Sequence, residues 1–483
     1  MASEFPALRI AGAEVLAQRC HDVPVGGAYE NPDGRAVAGL PALRIVELAL
    51  SAAPGSYVRV EIALPETAAW NGRFVGCGNG GAGGGLPTAT VCDWARRGFA
   101  AATTDLGTSR PSPTLAGVGN PETWRDFGHR ATHSMMVAAD AAVRAAYGRP
   151  ALFRYFVGGS TGGQQAFSLA QRHPGDVDGI LASVPAHRRT PLHAYFLWNW
   201  QATHRRDGSP LFTRAQEESY RAAVLGLLSG DDAFPHARGR FLSDVRWDAA
   251  LRAEAVRRAA ARDPSLTPEH LDALRRLQDG PVHARTGERL FDGLPPASEF
   301  EPACGNLYLF QWVFGADVDF ARLDFDRDID RYFAALSPDL DAEDPDLAPF
   351  RGRGGKLLAI AGTADSCVPC SATIDYYERV VARFGGDLAA VQSFFLLYLL
   401  PGRRHSGGPG VQSLRGDFSL LSDWLEKGRR PRAEGVACVP PAFRVPLHPY
   451  PATTAPDGGA APYRRGGVAP LPSPVAGQRN SRE

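Results

Sequence analysis

Short apolar runs typical of strands alternate with helical patterns along two long stretches of the chain. The predicted strands cover residues 58–64, 73–78, 99–104, 153–158, 179–184, 356–362 and 393–400. Helical periodicity predicts helices over residues 126–147, 373–384 and 415–427. Because strands that alternate with helices are joined by crossover connections, the pattern predicts an α/β fold with a mostly parallel sheet covered on both faces.

The residues between these stretches do not show this alternation of strands and helices. From residue 187 to residue 350 the pattern is mainly helical, and the segment 213–228 opens with Thr213 and Gln216 spaced as a capping box. We expect a helical lid inserted between two strands of the sheet. The predicted organisation is a sheet domain of residues 1–186 and 351–450, a lid of residues 187–350, and a Pro/Gly-rich tail of residues 451–483.

Composition and charge are those of an ordinary globular protein. Of 483 residues, 44% are hydrophobic and 22% are charged, and 52 basic residues balance 52 acidic ones. A chain without net charge lacks sequence-wide electrostatic support for binding nucleic acid. The longest apolar run, residues 394–400, is far shorter than the ~18 residues of a membrane span. We therefore expect neither a nucleic-acid partner nor a membrane partner.

The N-terminal residues and the cysteines bear on the location of the protein. Glu4, Arg9, Glu14 and Arg19 interrupt any apolar core that a secretory signal would need. The seven cysteines are odd in number and scattered, so no complete disulfide framework is implied. Either a signal has been removed or the protein stays inside the cell.

The strongest local signal for chemistry follows the predicted strand 153–158. Gly158, Ser160 and Gly162 fit the pattern G-x-S-x-G, in which a sharp strand-to-helix turn exposes a nucleophilic serine. The turn places Ser160 at a helix N-terminus, where backbone donors and the helix dipole favour negative charge. The alternative is a glycine-rich connection with an incidental serine, which the strand before and the helix after disfavour.

A serine nucleophile needs a base and an orienting carboxylate. In an α/β-hydrolase they follow the serine in the order Asp, then His, on loops after later strands. Asp365 follows the predicted strand 356–362, and His405 follows the strand that ends at residue 400. Both positions are those that the fold requires. His448 is the late competitor for the base, and a surface role is the alternative for His405.

A glycine-rich loop follows the predicted strand 73–78. We expect the Thr161 amide and a loop amide, from Gly80 or Gly81, to form an oxyanion hole. The loop lacks the G-x-G-x-x-G arrangement with a ribose-binding acid after it, and no Walker lysine is present there. A dinucleotide site is therefore disfavoured, and no cofactor is expected.

These segments resemble the tannase and feruloyl esterase family, which includes mono(2-hydroxyethyl) terephthalate hydrolase. The resemblance covers residues 70–74, 76–83, 97–105, 126–133, 155–163, 170–174, 178–180, 185–186, 346–357, 373–379 and 401–410. It implies an α/β-hydrolase fold and a carboxylic ester hydrolase with Ser160, Asp365 and His405 as the catalytic triad. It also implies a lid that supplies the substrate pocket, and an aromatic or phenolic ester as substrate.

The chain departs from the family pattern at its cysteines. Family members usually join a Cys before the nucleophile to a Cys after the catalytic His, whereas these positions are Gly159 and Ser406 here. Two further cysteine positions of the family correspond to Leu43 and His448. Because the joint loss of these bridges suits a reducing compartment, we expect a cytoplasmic protein.

No metal is expected from the residues. The lid of the family commonly binds calcium in an Asp-rich loop, but only Asp231 and Asp232 remain in the corresponding turn. Cys367 and Cys370 form a C-x-x-C pair without further Cys or His partners. An accidental spacing or an adventitious disulfide is therefore favoured over zinc.

Aromatic residues cluster at both edges of the predicted lid. Trp198 and Trp200 near its start, and Phe310 and Trp312 near its end, could stack on a planar acyl group. Their spacing mixes alternation with helical offsets, so packing within the lid is the favoured alternative. Arg404, beside the predicted base, could bind a substrate carboxylate, with a solvated surface arginine as the favoured alternative.

Together, these residues predict a serine esterase that hydrolyses a small-molecule carboxylic ester through an acyl-enzyme on Ser160. Among enzymes, the alternative is an intracellular tailoring enzyme that transfers or cyclises the acyl group. From another class, the alternative is a non-catalytic binding protein of the same fold, which the complete set Ser160, Asp365 and His405 disfavours. The acyl group, the alcohol and the oligomeric state stay open.

Overall fold

A computed structural model describes residues 5–228, 233–236, 239–242, 248–407, 411–432, 435–439, 446–454 and 460–462. Its strands are β1 (Glu14–Val23), β2 (Gly27–Glu30), β3 (Ala36–Leu40), β4 (Leu43–Ser51), β5 (Val58–Pro65), β6 (Arg73–Cys77), β7 (Ala100–Thr104), β8 (Phe153–Gly159), β9 (Gly179–Ser183), β10 (Ala233–His236), β11 (Gly239–Leu242), β12 (Lys356–Gly362), β13 (Phe395–Leu400), β14 (Ser413–Leu414), β15 (Cys438–Val439), β16 (Ala452–Thr454) and β17 (Ala460–Pro462).

The helices surround the sheet and fill the insertion between β9 and β12. They are α1 (Thr88–Arg96), α2 (Pro121–Arg125), α3 (Ala131–Tyr147), α4 (Thr161–Arg172), α5 (Arg189–Thr203), α6 (Arg214–Leu228), α7 (Ala249–Arg262), α8 (Pro268–Asp279), α9 (Glu301–Cys304), α10 (Tyr308–Phe314), α11 (Arg327–Leu340), α12 (Ala348–Gly352), α13 (Cys370–Arg383), α14 (Leu388–Gln392) and α15 (Asp417–Lys427). A π-helical turn, Asp126–Arg130, joins α2 to α3.

A mixed sheet lies at the centre, with the strand order β1-β4-β5-β7-β6-β8-β9-β12-β13 among the described residues. From β7 to β13 all neighbouring strands are parallel, with Tyr155 opposite Gly179 and Leu357 opposite Phe395 in the register. The strands β1, β4, β5 and β7 pair antiparallel at the other edge. The sheet is therefore mostly parallel, as the sequence predicts.

Side chains alternate between the two faces of the sheet and form a core on each face. Phe156 of β8 and Phe395 of β13 belong to a cluster with residues of α3, α4 and α13. Their neighbours Tyr155 and Leu396 belong to a second cluster with residues of α1 and α15. Because consecutive strand residues point to opposite faces, these apolar strands require helices on both sides. The predicted α/β architecture is confirmed.

The insertion between β9 and β12 contains α5 to α12 and the hairpin of β10 and β11. Tyr195, Tyr220 and Phe291 share an apolar cluster, which Val368 and Ala372 after β12 also join. Residues of α10 and α11 instead join the main core, where the rings of Trp312 and Phe127 meet edge-on at 5.3 Å between centroids. The insertion therefore has a separate core and is also anchored on the sheet domain.

The N-terminal edge of the sheet and the start of α3 differ from the predicted elements. The strands β1 and β4 extend the sheet before residue 58, and most residues of β1 are exposed. Such an edge strand lacks the apolar pattern that identifies a buried strand. The helix predicted from residue 126 begins with the π-helical turn and continues as α3.

No helix in the part of the chain that the structure describes is long and apolar enough to cross a membrane. The predicted tail is described only at residues 451–454 and 460–462. The turn with Asp231 and Asp232, where the sequence predicts no calcium, lies outside the described residues.

Candidate active site

The turn that holds the candidate nucleophile joins β8 to α4. Ser160 lies between the two elements, with φ +58° and ψ −116°. This positive φ costs a non-glycine residue free energy. Glycine is needed nearby, because a Cβ at Gly158 would lie 2.5 Å from the Gly162 carbonyl oxygen. The G-x-S-x-G spacing is thus a steric requirement of this turn.

Backbone hydrogen bonds hold Ser160 in this conformation. Its N–H donates to the Ser183 carbonyl at the end of β9, at 2.9 Å. Its carbonyl accepts from the amides of Gly163, Gln164 and Ala186, at 2.9, 3.1 and 3.0 Å. Since both peptide groups are satisfied, the backbone sets the direction of the serine side chain.

Asp365, His405 and Ser160 form a continuous hydrogen-bond chain. Asp365 follows β12 and His405 follows β13, two parallel neighbours whose carboxyl ends meet at one edge of the sheet. His405 Nδ1 lies 2.9 Å from Asp365 Oδ2, and His405 Nε2 lies 3.0 Å from Ser160 Oγ. The structure thus brings together the three side chains that the sequence names as nucleophile, base and orienting carboxylate.

The surroundings of Asp365 determine which ring nitrogen of His405 carries the proton. The carboxylate is buried, and its Oδ1 accepts from the amides of Cys367 and Val368 at 2.9 and 2.8 Å. Oδ2 is therefore left to accept the Nδ1 proton of His405. In that tautomer Nε2 presents a lone pair to the Ser160 hydroxyl, as a general base requires.

The glycine-rich loop after β6 touches the N-terminus of α4. The Gly162 amide donates to the Asn79 carbonyl at 2.8 Å, and Thr161 Oγ1 donates to the Gly81 carbonyl at 2.6 Å. Gly80 and Gly81 are exposed, with open space where a Cβ would lie. The residues predicted for the oxyanion hole therefore lie on two touching segments.

A further contact links the His405 loop to the strand beside the nucleophile. Arg403 Nη2 donates to Ser183 Oγ at 2.9 Å. Ser183 of β9 is the register partner of Gly159 of β8. This hydrogen bond joins the loop to the nucleophile region in a chain that has Gly159 and Ser406 where the resemblance implies a disulfide.

Two of the residues predicted to contact substrate lie in the interior. Phe310 and Trp312 are each 1% exposed. Phe310 stacks on Tyr332 at 4.2 Å between ring centroids, and Trp312 Nε1 donates to the Thr114 carbonyl at 2.9 Å. These contacts give both side chains a packing function, and their predicted contact with substrate stays a prediction.

The other three predicted substrate residues also have protein partners. Trp198 Nε1 donates to a backbone carbonyl of α8 at 2.7 Å. Trp200 stacks on His204 at 4.8 Å between centroids, and Arg404 forms an ion pair with Glu299. Their predicted contact with substrate likewise stays a prediction.

One cluster of possible metal ligands lies at the C-terminal end of α4. The ligand atoms of His133, His173 and Asp176 all lie within 4.8 Å of one another. The two imidazole rings stack at 3.9 Å between centroids with an interplanar angle of 11°, and His133 Nδ1 lies 2.6 Å from Asp176 Oδ2. Lone pairs of parallel stacked rings do not converge on one point, so the observed geometry does not suit a metal ion.

A second cluster in the insertion comprises His283, Asp326 and Asp330. The Arg285 guanidinium donates to both carboxylates, from Nε to Asp326 at 2.9 Å and from Nη2 to Asp330 at 3.0 Å. Its positive charge already compensates the two acids, which opposes the binding of a cation.

Free thiols are present at Cys20, Cys77, Cys92, Cys304 and Cys367. Burial, with the Asp365 carboxylate nearby, raises the pKa of the Cys367 thiol to about 12. Zinc binds thiolates, so this raised pKa opposes the loss of the Cys367 proton that zinc binding requires. The expectation that the C-x-x-C pair holds no zinc stays a prediction.

One buried side chain beside the candidate oxyanion hole was not singled out from the sequence. Arg189, at the start of α5, donates from Nη1 to Thr161 Oγ1 at 3.0 Å. It follows Arg188 in a short basic run, which by pattern alone is typical of a solvated surface. The available signal in the sequence is its position three residues after Ala186, in the segment that follows the predicted strand 179–184.

The family model described as tannase and feruloyl esterase matches residues 49–327 and 305–453. An uncharacterized esterase of Xanthomonas campestris pv. campestris is 31% identical over 471 residues, which cover 85% of this chain and 80% of that protein. Mono(2-hydroxyethyl) terephthalate hydrolase of Piscinibacter sakaiensis is 28% identical over 482 residues, covering 81% and 78% of the two chains.

Solved structures of similar fold agree with these matches. Feruloyl esterase B from Aspergillus oryzae superposes with a TM-score of 0.75 at 20% identity, covering 92% of this chain and 94% of that chain. At this identity the likeness concerns the fold, and it confirms the predicted α/β-hydrolase architecture. The chain belongs to the tannase and feruloyl esterase family and is a carboxylic ester hydrolase.

Proposed function

We propose that the chain is a serine esterase that forms an acyl-enzyme on Ser160. The observation that carries the proposal is the hydrogen-bond chain from Asp365 through His405 to Ser160, with distances of 2.9 and 3.0 Å. A serine hydroxyl is a weak nucleophile at neutral pH. An imidazole at this distance takes its proton as the oxygen attacks the ester carbonyl.

In the proposed acylation, the proton of Ser160 passes to His405 Nε2 while Oγ bonds to the carbonyl carbon. Asp365 holds the imidazolium in orientation. The Thr161 amide and an amide of Gly80 or Gly81 hydrogen-bond the oxyanion. The tetrahedral intermediate collapses as His405 returns the proton to the leaving alcohol. Water then attacks the acyl-enzyme with the same groups and releases the acid.

An aromatic or phenolic acyl group is the proposed substrate class. Two similar proteins are named for esters of aromatic acids, a feruloyl esterase and a mono(2-hydroxyethyl) terephthalate hydrolase. Stacking of a planar acyl group on aromatic side chains of the insertion would favour such substrates. The candidates remain Trp198, Trp200, Phe310 and Trp312, with Arg404 for a carboxylate.

The insertion of residues 187–350 is the proposed lid on a catalytic domain of residues 1–186 and 351–450. Its separate apolar cluster supports this division. Cytoplasmic residence is proposed because the cysteines named above carry free thiols and because Gly159 and Ser406 replace the bridged pair of the family.

Labelling with a fluorophosphonate probe tests the serine mechanism. The wild-type chain should be labelled on Ser160, and Ser160→Ala should abolish labelling and lower kcat on a p-nitrophenyl ester by about 10⁴-fold or more. Ser419→Ala, which changes an exposed serine on α15, is the matched control and should behave as wild type. Full activity in Ser160→Ala would refute the proposal.

A panel of esters tests the substrate class. Gallate, hydroxycinnamate and terephthalate esters should give higher kcat/KM than alkyl esters of matched leaving group. A preference for alkyl esters would refute the aromatic assignment while leaving the serine mechanism intact. Product analysis with a competing alcohol distinguishes hydrolysis from acyl transfer.

A further inference from the structure

Three hydrogen-bond donors converge on the carbonyl oxygen of Gly81, in the glycine-rich loop. They are Thr161 Oγ1 at 2.6 Å, Arg189 Nη2 at 3.1 Å and Tyr308 Oη at 3.4 Å. The same guanidinium donates from Nη1 to Thr161 Oγ1 at 3.0 Å and from Nη2 to Tyr308 Oη. The four residues therefore form a closed network.

The chemistry of the groups fixes the direction of every bond in this network. A guanidinium only donates hydrogen bonds, and a carbonyl oxygen only accepts them. The hydroxyls of Thr161 and Tyr308 must therefore accept from Arg189 and donate to Gly81. Burial raises the pKa of the Tyr308 hydroxyl, which keeps it protonated as this arrangement requires. Such directed chains strengthen one another in a low-dielectric site.

Arg189 has no carboxylate partner in this network. Its side chain is 3% exposed, and the described residues place no Asp or Glu oxygen within ion-pair distance of it. Its guanidinium carbon lies 5.2 Å from the Phe127 ring centroid. Burying a charge costs free energy unless hydrogen bonds and nearby dipoles compensate it. The positive charge is thus held, without a counter-charge, beside the segment where the oxyanion would form.

The network fixes the central peptide of a tight turn. The Gly83 amide donates to the Gly80 carbonyl at 3.1 Å, and Gly81 has φ +57°. Because the Gly81 carbonyl belongs to the middle peptide of this turn, holding it also orients the neighbouring amides. These are the amides from which the second oxyanion donor is drawn.

The two side chains that hold the turn come from helices of the insertion that are far apart in the sequence. Arg189 opens α5, the first helix after β9, and Tyr308 opens α10, 119 residues later. Both reach the loop after β6, and Arg189 also reaches Thr161, the first residue of α4. The shape of the loop therefore depends on the insertion being packed in place.

We propose that Arg189, acting with Tyr308, is the positioning residue of the oxyanion hole, and that it makes stabilisation of the transition state depend on the packed insertion. The inference rests on the proposed serine mechanism. Whatever the substrate, the network should stabilise a tetrahedral adduct on Ser160 more than it stabilises the bound ester.

Kinetics and boronic acid binding test this inference. Arg189→Gln should lower kcat by about 10- to 100-fold, less than the full loss of an oxyanion donor, and should leave KM nearly unchanged. Tyr308→Phe should lower kcat by several-fold. Phenylboronic acid forms a tetrahedral adduct with an active serine, so its affinity should fall in parallel with kcat/KM in both variants. Arg189→Lys should recover part of the loss because it keeps the charge.

The matched control is Tyr220→Phe, which removes another buried tyrosine hydroxyl of the insertion. Tyr220 Oη accepts from Gln278 Nε2 at 2.6 Å and belongs to the separate apolar cluster. It should lower stability without changing boronic acid affinity or kcat. If Arg189→Gln does not fold, the comparison of Tyr308→Phe with Tyr220→Phe tests the positioning function instead.

Two outcomes separate failure of this inference from failure of the serine mechanism. In the first, boronic acid affinity is unchanged in Arg189→Gln and Tyr308→Phe while the fluorophosphonate still labels Ser160 to completion. This result overturns the positioning function alone. Absence of label on Ser160 in the wild-type chain overturns the serine mechanism, and the inference with it.

Discussion

The two oxygens of the Asp365 carboxylate have different functions. Oδ1 is held by the amides of Cys367 and Val368, and Oδ2 faces His405 Nδ1 at 2.9 Å. The two amides can donate only to an acceptor, so Oδ1 must remain an oxygen in any isosteric replacement. The effect on His405 of replacing Oδ2 by an NH₂ group can therefore be predicted.

Asp365→Asn should therefore turn an NH₂ group towards His405. Nδ1 would then accept, Nε2 would carry the proton, and the imidazole could no longer take the proton of Ser160. We expect kcat to fall by about 10³- to 10⁴-fold with little change in stability. The matched control Asp346→Asn, on a partly exposed carboxylate before β12, should retain activity. Wild-type kcat in Asp365→Asn would contradict the proposed function of the carboxylate.

The stacked pair His133 and His173 predicts a pH dependence of stability. Burial, and then the neighbouring His133, lower the pKa of His173 to about 4, with smaller effects from Asp176, His129 and Arg172. Since the folded pKa lies below the unfolded value of about 6.5, the unfolded chain binds more protons between these values. The stabilisation is complete above pH 6.5 and is lost as the pH falls towards 4.

Replacing the titrating ring tests this dependence. His173→Phe keeps a ring for stacking on His133 without a titrating nitrogen. Denaturant unfolding between pH 4 and pH 7 should show a smaller loss of unfolding free energy in the variant than in the wild type. Parallel curves for the two chains would show that the pKa of His173 is the same in the folded and the unfolded state, and would contradict the prediction.

Between elements, the Arg403–Ser183 hydrogen bond joins the loop after β13 to the end of β9. Arg403 Nε and Nη1 are buried without a hydrogen-bond partner among the described residues, so the bond from Nη2 to Ser183 Oγ is the hydrogen bond that this guanidinium makes there. Removing one partner of a buried pair costs more than removing both, because the remaining donor loses its acceptor.

Ser183→Ala should accordingly lower the unfolding free energy by about 1–3 kcal/mol. The double variant Ser183→Ala/Arg403→Met should recover part of that loss, since no donor is left without an acceptor. Denaturant titration of these two variants and of Arg403→Met gives the unfolding free energies for a double-mutant cycle. If the losses of the two single variants simply add in the double variant, the pair contributes nothing specific and the prediction is wrong.

For the molecule as a whole, the cysteines predict insensitivity to reductant. The cysteines named above carry free thiols, and neither Gly159 nor Ser406 can form a disulfide. Esterase activity and thermal midpoint should therefore be unchanged in dithiothreitol. A large loss of activity after reduction would contradict this prediction and would mean that a disulfide supports the fold.

The alternation of strands and helices could be predicted because it depends on short-range periodicity. The parallel strands from β6 to β13 are apolar on both faces, whereas β1 is an exposed edge strand without such a pattern. Likewise, the aromatic residues of the insertion are visible in the sequence. Their burial is not, because Phe310 stacks on Tyr332 and Trp198 packs on α8 only after distant helices have come together.

The linear order of residues alone was enough to predict the α/β architecture, the strained turn at Ser160, and Asp365 and His405 as its candidate partners. A Gly-flanked turn has local steric limits, and the end of a parallel strand is also a local feature. Both can therefore be recognised in short contiguous segments of the sequence. The folded chain alone decided that Arg189 and Tyr308 meet at the Gly81 carbonyl, 108 and 227 residues away along the chain. Such contacts depend on the packing of a whole insertion, and no short segment contains that information.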